Sequence, residues 1–452
     1  MSKFLSNKKL VFLCILAINT MMYYLLAHSS IRTRPFGDDD FHEETKIITQ
    51  FIWGNEPYAN VSVTKAPGPV IYYLLPYMIT GPTPEKETYW LFAMIWNCLG
   101  SSFALLLVSL AAEKLTSNRL SGIIPVIFAF AIPLHVYYGT SITGEVPAFI
   151  GMAMMVYACS RIFIYKDNFF IKKTITALTA GTVLLTLSRP NASLLFVFIS
   201  PLIFILWKKK SYLFKPLTYA MLFALFTIIL VSTLVKQLPN TRKSYKQIDY
   251  LAYVILQGCF QFRDEPNDWR FFDPSIRPDS RDMINYRNTQ KLLYQKMADE
   301  DKTLSEVNIP YIINDVIHHP FIFLRQCVTK TLYGHSLNVS SVKPEHFTLG
   351  PLRGRTGYNL FYYCINIFNA SLILLSLYTL YRYYRWHKLL VVIIPWVALL
   401  AFHAATYMEY RYMFPVRTII ITFSAIGTVN IIRKYAPTAF YSLDIKTLPH
   451  AK

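Results

Sequence analysis

Charge is scarce in this chain. Only 16% of its 452 residues are Asp, Glu, Lys or Arg, against roughly 25% in an average soluble domain. Acidic residues are the scarcer kind, 26 against 45 basic ones, which leaves a formal charge of +19. A soluble chain of this length would be divided into two or three domains. A hydrophobic share of 54%, with 16% aromatic residues and a mean hydropathy of +0.32, excludes that reading. Cysteine is also sparse, with six residues. Cys14, Cys98, Cys159 and Cys364 fall inside apolar runs and read as packing residues. Cys259 and Cys327 share one large hydrophilic loop, where an oxidising compartment permits a disulfide without requiring one. A leader-peptide cleavage site is lacking too. Lys3, Lys8 and Lys9 precede the apolar run 10–27, which is too long for a leader's apolar core and is followed by no small-x-small site. It is expected to be a retained first helix.

What the chain has in abundance is apolar runs of about 20 residues, each long enough to cross a hydrocarbon core. Ten spans are expected: 9–27, 88–112, 120–138, 143–164, 173–188, 191–207, 213–235, 357–381, 389–406 and 413–432. Basic residues cluster at alternate connections: Lys3/Lys8/Lys9, Lys114/Arg119, Lys166/Lys172/Lys173, Lys208/Lys209/Lys210/Lys215, Arg382/Arg385/Lys388 and Arg433/Lys434. That set marks the cytoplasmic side, with both termini on it. The positive charge is therefore topogenic and implies the bilayer, not nucleic acid, as partner. The expected fold is an all-α polytopic membrane protein of about ten transmembrane helices, with amphipathic surface helices in the first and the large extracytoplasmic loops. Its parts are a transmembrane module at 1–235 containing the first loop (28–87), a loop region at 236–356, transmembrane helices at 357–436 and a cytoplasmic tail at 437–452.

The unusual polar residues lie on the opposite face. The first loop holds Asp38, Asp39, Asp40, His42, Glu43, Glu44 and Lys65, and the outer helix ends hold Glu145, Arg189, Glu409 and Arg411. Charges gathered at one membrane face are costly unless solvated, paired or used. Phe41, Ile47, Ile48, Phe51 and Ile52 recur at helical spacing, so 41–53 is expected as an amphipathic helix on the membrane surface. Two readings of the acidic triplet stand: a cap and dipole partner for that helix, or a functional cluster. Lys65 opens a Pro-rich turn before a short apolar segment, 69–79, read as re-entrant or interfacial. Its amine either holds a phosphate at headgroup depth or snorkels.

An acidic pair opening the first outer loop, a surface helix ending at Gly54, and Lys65-Ala66-Pro67 before an aromatic short helix resemble the GT-C glycosyltransferases. The nearest likeness is to the branch holding aminoarabinose transferase and the protein O-mannosyltransferases. TGEVPAF at 143–149 and EYRYMFPV at 409–416 resemble two further motifs of that branch. These points touch the N-terminal third and the last span; the 236–356 loop departs from the pattern, as does His42, where the aminoarabinose enzymes carry a basic residue.

The resemblance implies inverting transfer of a sugar from a polyprenyl-phosphate donor to an acceptor hydroxyl, with no cofactor and no metal. Such chemistry needs a carboxylate to take the acceptor proton, negative charge beside an oxocarbenium-like transition state, and cations on the departing phosphate. Spacing from Gly54 puts the family's catalytic Asp at Asp39, with Asp40 in the second acidic position; Asp38 or Asp40 is the fallback. Lys65 and Arg411 lead as phosphate ligands, with Arg189 behind them. Glu145, His42 and Glu409 are the substrate-orienting candidates, although Glu145 equally suits a pair with Arg189 or Arg411, and Glu409 a pair with Arg411. The acceptor is a glycolipid, a lipopolysaccharide or a protein. A bacterial inner membrane is preferred over the endoplasmic reticulum on the basic N-terminus.

In the large loop, 303–334 reads as two amphipathic helices broken at Pro320. His318 and His319 are read as structural, because adjacent helical side chains diverge. Three rival readings remain: a polymerase or ligase of lipid-linked glycans, with its essential Arg and His in the large loop; a transporter or flippase; and a scaffold. No internal repeat is visible, and the charges sit at span ends, which weighs against a transporter.

Overall fold

In a computed structural model, the structure describes residues 7–27, 41–63, 66–81, 85–164, 168–209, 211, 214–239, 247–268, 278–336, 348–349, 351–383, 386–408 and 410–435. Asp38, Asp39, Asp40, Lys65, Glu409 and the tail at 437–452 lie outside them. The described chain is helical apart from a two-residue antiparallel ladder, β1 (Thr348–Leu349) with β2 (Leu352–Arg353). It divides into two compact units.

The first unit comprises Met1–Arg242, Pro344–Trp396 and Phe414–Lys452. Its helices are α1 (Lys8–Ala27), α2 (His42–Ile52), α3 (Pro67–Thr80), α4 (Lys86–Thr116), α5 (Leu120–Ala131), α6 (Leu134–Gly139), α7 (Glu145–Ile164), α8 (Asn168–Ser188), α9 (Leu194–Lys208), α10 (Phe214–Lys236), then α15 (Gly354–Tyr383), the first half of α16 (Trp386–Ala405) and α17 (Arg417–Tyr435). The second unit, Lys243–Lys343 with Val397–Met413, holds α11 (Gln247–Phe260), α12 (Arg281–Asp299), α13 (Leu304–His318), α14 (Pro320–His335) and the end of α16.

Among the described residues, six segments are long and apolar enough to cross a bilayer: Lys8–Leu26, Lys86–Thr116, Pro190–Lys208, Phe214–Lys236, Gly354–Arg382 and Arg411–Tyr435. The chain is thus an integral membrane protein by composition and length. Helices occupy the other four expected positions but do not join these six. One departure has a plain cause: the expected span 120–138 is two helices, α5 and α6, because the chain turns at Ile132–Pro133 and proline supplies no amide to continue the ladder.

Burial separates core helices from lipid-facing ones. On α17, Thr418, Ile419, Thr422, Ser424 and Ala425 are wholly buried, against α15, α5 and α4. A helix without a polar face sits inside its bundle. α10 does the opposite and exposes Leu222, Phe223, Phe226, Leu230 and Leu234, an apolar stripe that only hydrocarbon accommodates well. α7 and α8 touch backbone to backbone: a Cβ at Gly151 would lie 2.7 Å from Leu185 N and 2.8 Å from Gly181 O. Small residues allow such approach, the usual device of membrane helices.

In the second unit, α13 and α14 break at His319–Pro320, where the sequence predicts. The helices α11 and α12 accompany them and were not foreseen. Leu256, Phe260, Met283, Tyr286, Val307 and Ile312 form their shared core. Cys259 and Cys327 are both free thiols, and burial holds the Cys259 thiol up, at about 11.

Candidate functional site

The first unit gathers four segments at one place. Phe41, at the start of α2, and Ala66, just before α3, are buried in one cluster with Val63, Val70, Tyr73, Tyr77, Tyr89 and Ile142. Gly68, on the first turn of α3, lies so near the end of α8 that a Cβ there would be 2.6 Å from Leu187 C and Ser188 N. Gly144, just before α7, faces Ser188 O, Pro69 Cγ and Phe41 Cε2 at 3.1, 3.3 and 3.8 Å from such a Cβ. Any side chain at Gly68 would prise these elements apart.

Glu145 and Arg189 complete the cluster. Glu145 opens α7 and Arg189 follows the last residue of α8, so antiparallel packing of the two helices brings both charges to one end. The Arg189 Nη2 donates to Glu145 Oε1 in an ion pair. The carboxylate side chain is 2% exposed and the guanidinium 14%, so water screens the pair little. The helix dipole favours a carboxylate at the start of α7. Pro190 ends the α8 ladder just past Arg189.

Neutral side chains tie down the turn that delivers Glu145. Tyr73 OH donates to the carbonyls of Thr143 (3.0 Å) and Ser141 (3.3 Å). Asn97 Nδ2 donates to Gly139 O (2.9 Å) and Ser141 O (3.1 Å), and Trp90 Nε1 to Thr140 O (2.9 Å). Carbonyls in a buried turn would otherwise go unbonded at a cost of about 1–3 kcal/mol each.

His42 sits inside the first unit, against α3 and α4. Its ring is 3% exposed, its Nδ1 shares a 2.7 Å hydrogen bond with Tyr77 OH, and Tyr77 and Tyr89, stacked at 4.4 Å, flank it. Thr45 and Thr49 are buried on the same side of α2, while Phe51, Ile52 and Trp53 are exposed. The surface helix therefore docks by its polar stripe and turns apolar residues outward, as expected of a helix lying against lipid.

Arg411 lies in the second unit, in the 3₁₀ segment Tyr410–Val416. Its guanidinium carbon is 5.7 Å from the Tyr412 ring centre, and that ring stacks on His403 at 4.3 Å. Among the described residues no three His, Cys, Asp or Glu side chains converge as metal ligands. His318 Nδ1 donates instead to Asn314 O at 2.7 Å, finishing α13.

Of the site residues expected from sequence, Glu145 and Arg189 are thus brought together, with His42 on an adjoining helix. Sequence reasoning missed Tyr73, Tyr77, Trp90 and Asn97. The i, i+4 spacing of Tyr73 and Tyr77 in a 14-residue apolar helix, and a lone Asn within a 31-residue span, were the signals available. No protein-family model matches the chain, and a search of curated proteins finds no relative.

Proposed function

We propose that the chain is a GT-C-type membrane glycosyltransferase, moving a sugar from a polyprenyl-phosphate donor to an acceptor hydroxyl at the extracytoplasmic face. One observation carries this reading. Phe41, which follows Asp40, and Ala66, which follows Lys65, are buried in a single cluster beside the turn that leads into Glu145. The described neighbours of the acidic triplet and of Lys65 thus pack beside the segment that carries Glu145.

In this scheme Asp39 takes the proton of the acceptor hydroxyl as its oxygen bonds the anomeric carbon. The carbon–oxygen bond to the donor phosphate breaks, and polyprenyl phosphate leaves with the electron pair. Asp38 and Asp40 are the alternatives for the base. Attack from the face opposite the phosphate inverts the centre. Lys65 and Arg411 neutralise the departing phosphate. Arg189 stands behind them as a phosphate ligand, and its pair with Glu145 serves to fix the site's wall. Neither cofactor nor metal enters the scheme. The acceptor is a glycolipid, a lipopolysaccharide or a protein. The positive-inside pattern supports about ten spans with cytoplasmic termini, and the basic N-terminus favours a bacterial inner membrane.

Purified protein incubated with radiolabelled polyprenyl-phosphate sugars and membrane acceptor lipid tests this. The Asp39→Asn variant is expected to lose about 10²-fold or more in rate. Wild-type transfer by Asp38→Asn, Asp39→Asn and Asp40→Asn alike would end the mechanism. Single cysteines at positions 60 and 340 are expected to label from outside, and one at 210 is not.

A further inference from the structure

The second unit contains a set of buried polar side chains that the scheme above leaves unused. Lys330, on α14, is 1% exposed, and its Nζ donates to Thr406 O at 2.6 Å. Gln261, 1% exposed, makes a paired amide contact with Met408: its Nε2 donates to Met408 O (2.7 Å), and Met408 N donates to its Oε1 (2.9 Å). Gln326, one turn before Lys330, donates from Nε2 to Cys259 O (2.8 Å) and Gln261 O (3.0 Å). His403 Nδ1 donates to Tyr407 O at 3.1 Å. Every backbone group of 406–408 that these bonds reach is thereby held by a side chain from elsewhere in the unit.

Packing closes the same segment from both sides. Gly258 on α11 lies against the Thr406 carbonyl, where any Cβ would collide, and Gly334 on α14 lies against Met408, with a Cβ 2.6 Å from its sulfur. The turn that presents Gln261 is itself unfavourable. Phe262 has φ +62° and is wholly buried, with its ring edge-on to Tyr333 at 5.2 Å. A bulky residue rarely adopts the left-handed region unless its surroundings force it. Lys330 and the Gln261 amide bond this segment directly, while Gln326 and the left-handed Phe262 belong to the turn that presents Gln261.

Those three residues lead within three positions to Arg411. We infer that Lys330 and Gln261 are positioning residues, with Gln326 bracing the Gln261 turn: they clamp 406–408 and so set where Arg411 stands. The clamp gives the large loop a role in donor-phosphate binding, which rests on the proposed glycosyltransfer. Burial also holds the Lys330 amine down, at about 8, so the clamp carries a group that titrates in the working range of an assay.

Full-length protein in nanodiscs tests the clamp with polyprenyl phosphate, bearing no sugar, as probe. Lys330→Met and Gln261→Ala are each expected to weaken its binding five- to twentyfold. In an Arg411→Gln background, the same substitutions are expected to cost nothing more, because they act through that arginine. Hydrogen exchange at 410–412 is expected to rise at least tenfold in both variants while α12 keeps its protection. That readout separates a local clamp from general destabilisation, and it holds if one variant folds poorly. Unchanged exchange at 410–412, or losses that add to that of Arg411→Gln, overturns the inference. If the wild type binds no polyprenyl phosphate, the donor role falls with the glycosyltransferase reading, and the exchange data alone then uphold or overturn the clamp.

Discussion

The turn 140–144 in the first unit and the segment 406–408 in the second are both held by side chains that reach backbone carbonyls. In the first the donors are Tyr73, Trp90 and Asn97, all uncharged, and charge enters only as the compensated pair Glu145–Arg189. In the second the donors include Lys330, whose bond goes to the neutral Thr406 carbonyl. Side-chain caps occur in both. In the first unit Asn7 Oδ1 accepts from Lys9 N (3.2 Å) and Leu10 N (3.3 Å) at the start of α1, and Asn118 Oδ1 accepts from Leu120 N (2.7 Å) at the start of α5. In the second, Ser280 Oγ accepts from Met283 N at 3.2 Å to start α12, and Thr303 with Glu306 forms a capping box on α13. The contrast therefore lies in the held turns themselves: neutral donors and a compensated ion pair in the first unit, a buried lysine on a neutral carbonyl in the second.

Three substitutions sharpen or break that contrast. The largest effect is expected at Glu145. Replacing it by Gln leaves a guanidinium with 14% exposure facing a neutral amide, and losing one partner of a buried pair costs about 3–5 kcal/mol. The unfolding midpoint in detergent should fall sharply, and Glu145→Leu with Arg189→Met should recover most of it. A neutral Glu145→Gln would mean that water reaches the pair, and the contrast with the second unit would weaken.

Next comes the pH dependence of Lys330. Its folded value near 8 lies below the ordinary lysine value of about 10.4. Between those values the unfolded chain binds more protons than the folded one. Wild-type stability should therefore rise by about 1.4 kcal/mol per pH unit across that window, and about 3 kcal/mol in all. The gain is absent below pH 8 and complete above 10.4. Lys330→Met lacks the group, so denaturation of both proteins at pH 7.5 and 10 should show wild type gaining on the variant. Parallel curves would place the amine in water and remove the clamp's central bond.

The smallest effect is expected from Thr303→Ala. Loss of the capping box should cost about 1 kcal/mol, read as a modest drop in the midpoint of α13 exchange with no change in the first unit. An effect spreading to both units would show that they do not unfold independently.

Particular residues show what the primary structure carried. Pro320 announced the break between α13 and α14, and the periodicity of Phe41 to Ile52 announced α2. Apolar run length announced the spanning helices. Proline lacks an amide and apolar side chains have a period, so both signals are local and survive in one dimension. α12 left no such trace, since its mean character is polar and its buried side, Met283, Tyr286 and Leu293, is thin. Glu145 and Arg189 were suspected from their places at helix ends, but sequence alone did not pair them. The gaps left by Gly151 and Gly181, which let α7 and α8 run side by side, bring the two together.

Run length and proline thus foretold much of the material of the chain: helices apolar enough to span, and the break at Pro320. Those properties follow from the solvent each segment demands, and a segment demands it alone. Which carbonyl Lys330 bonds, which face His42 turns to Tyr77, and which base and acid meet beside Gly144 depended on residues 35 to 76 positions apart arriving within 3 Å of each other. No local preference encodes such a meeting; close packing between helices does, and it exists only once the chain has folded.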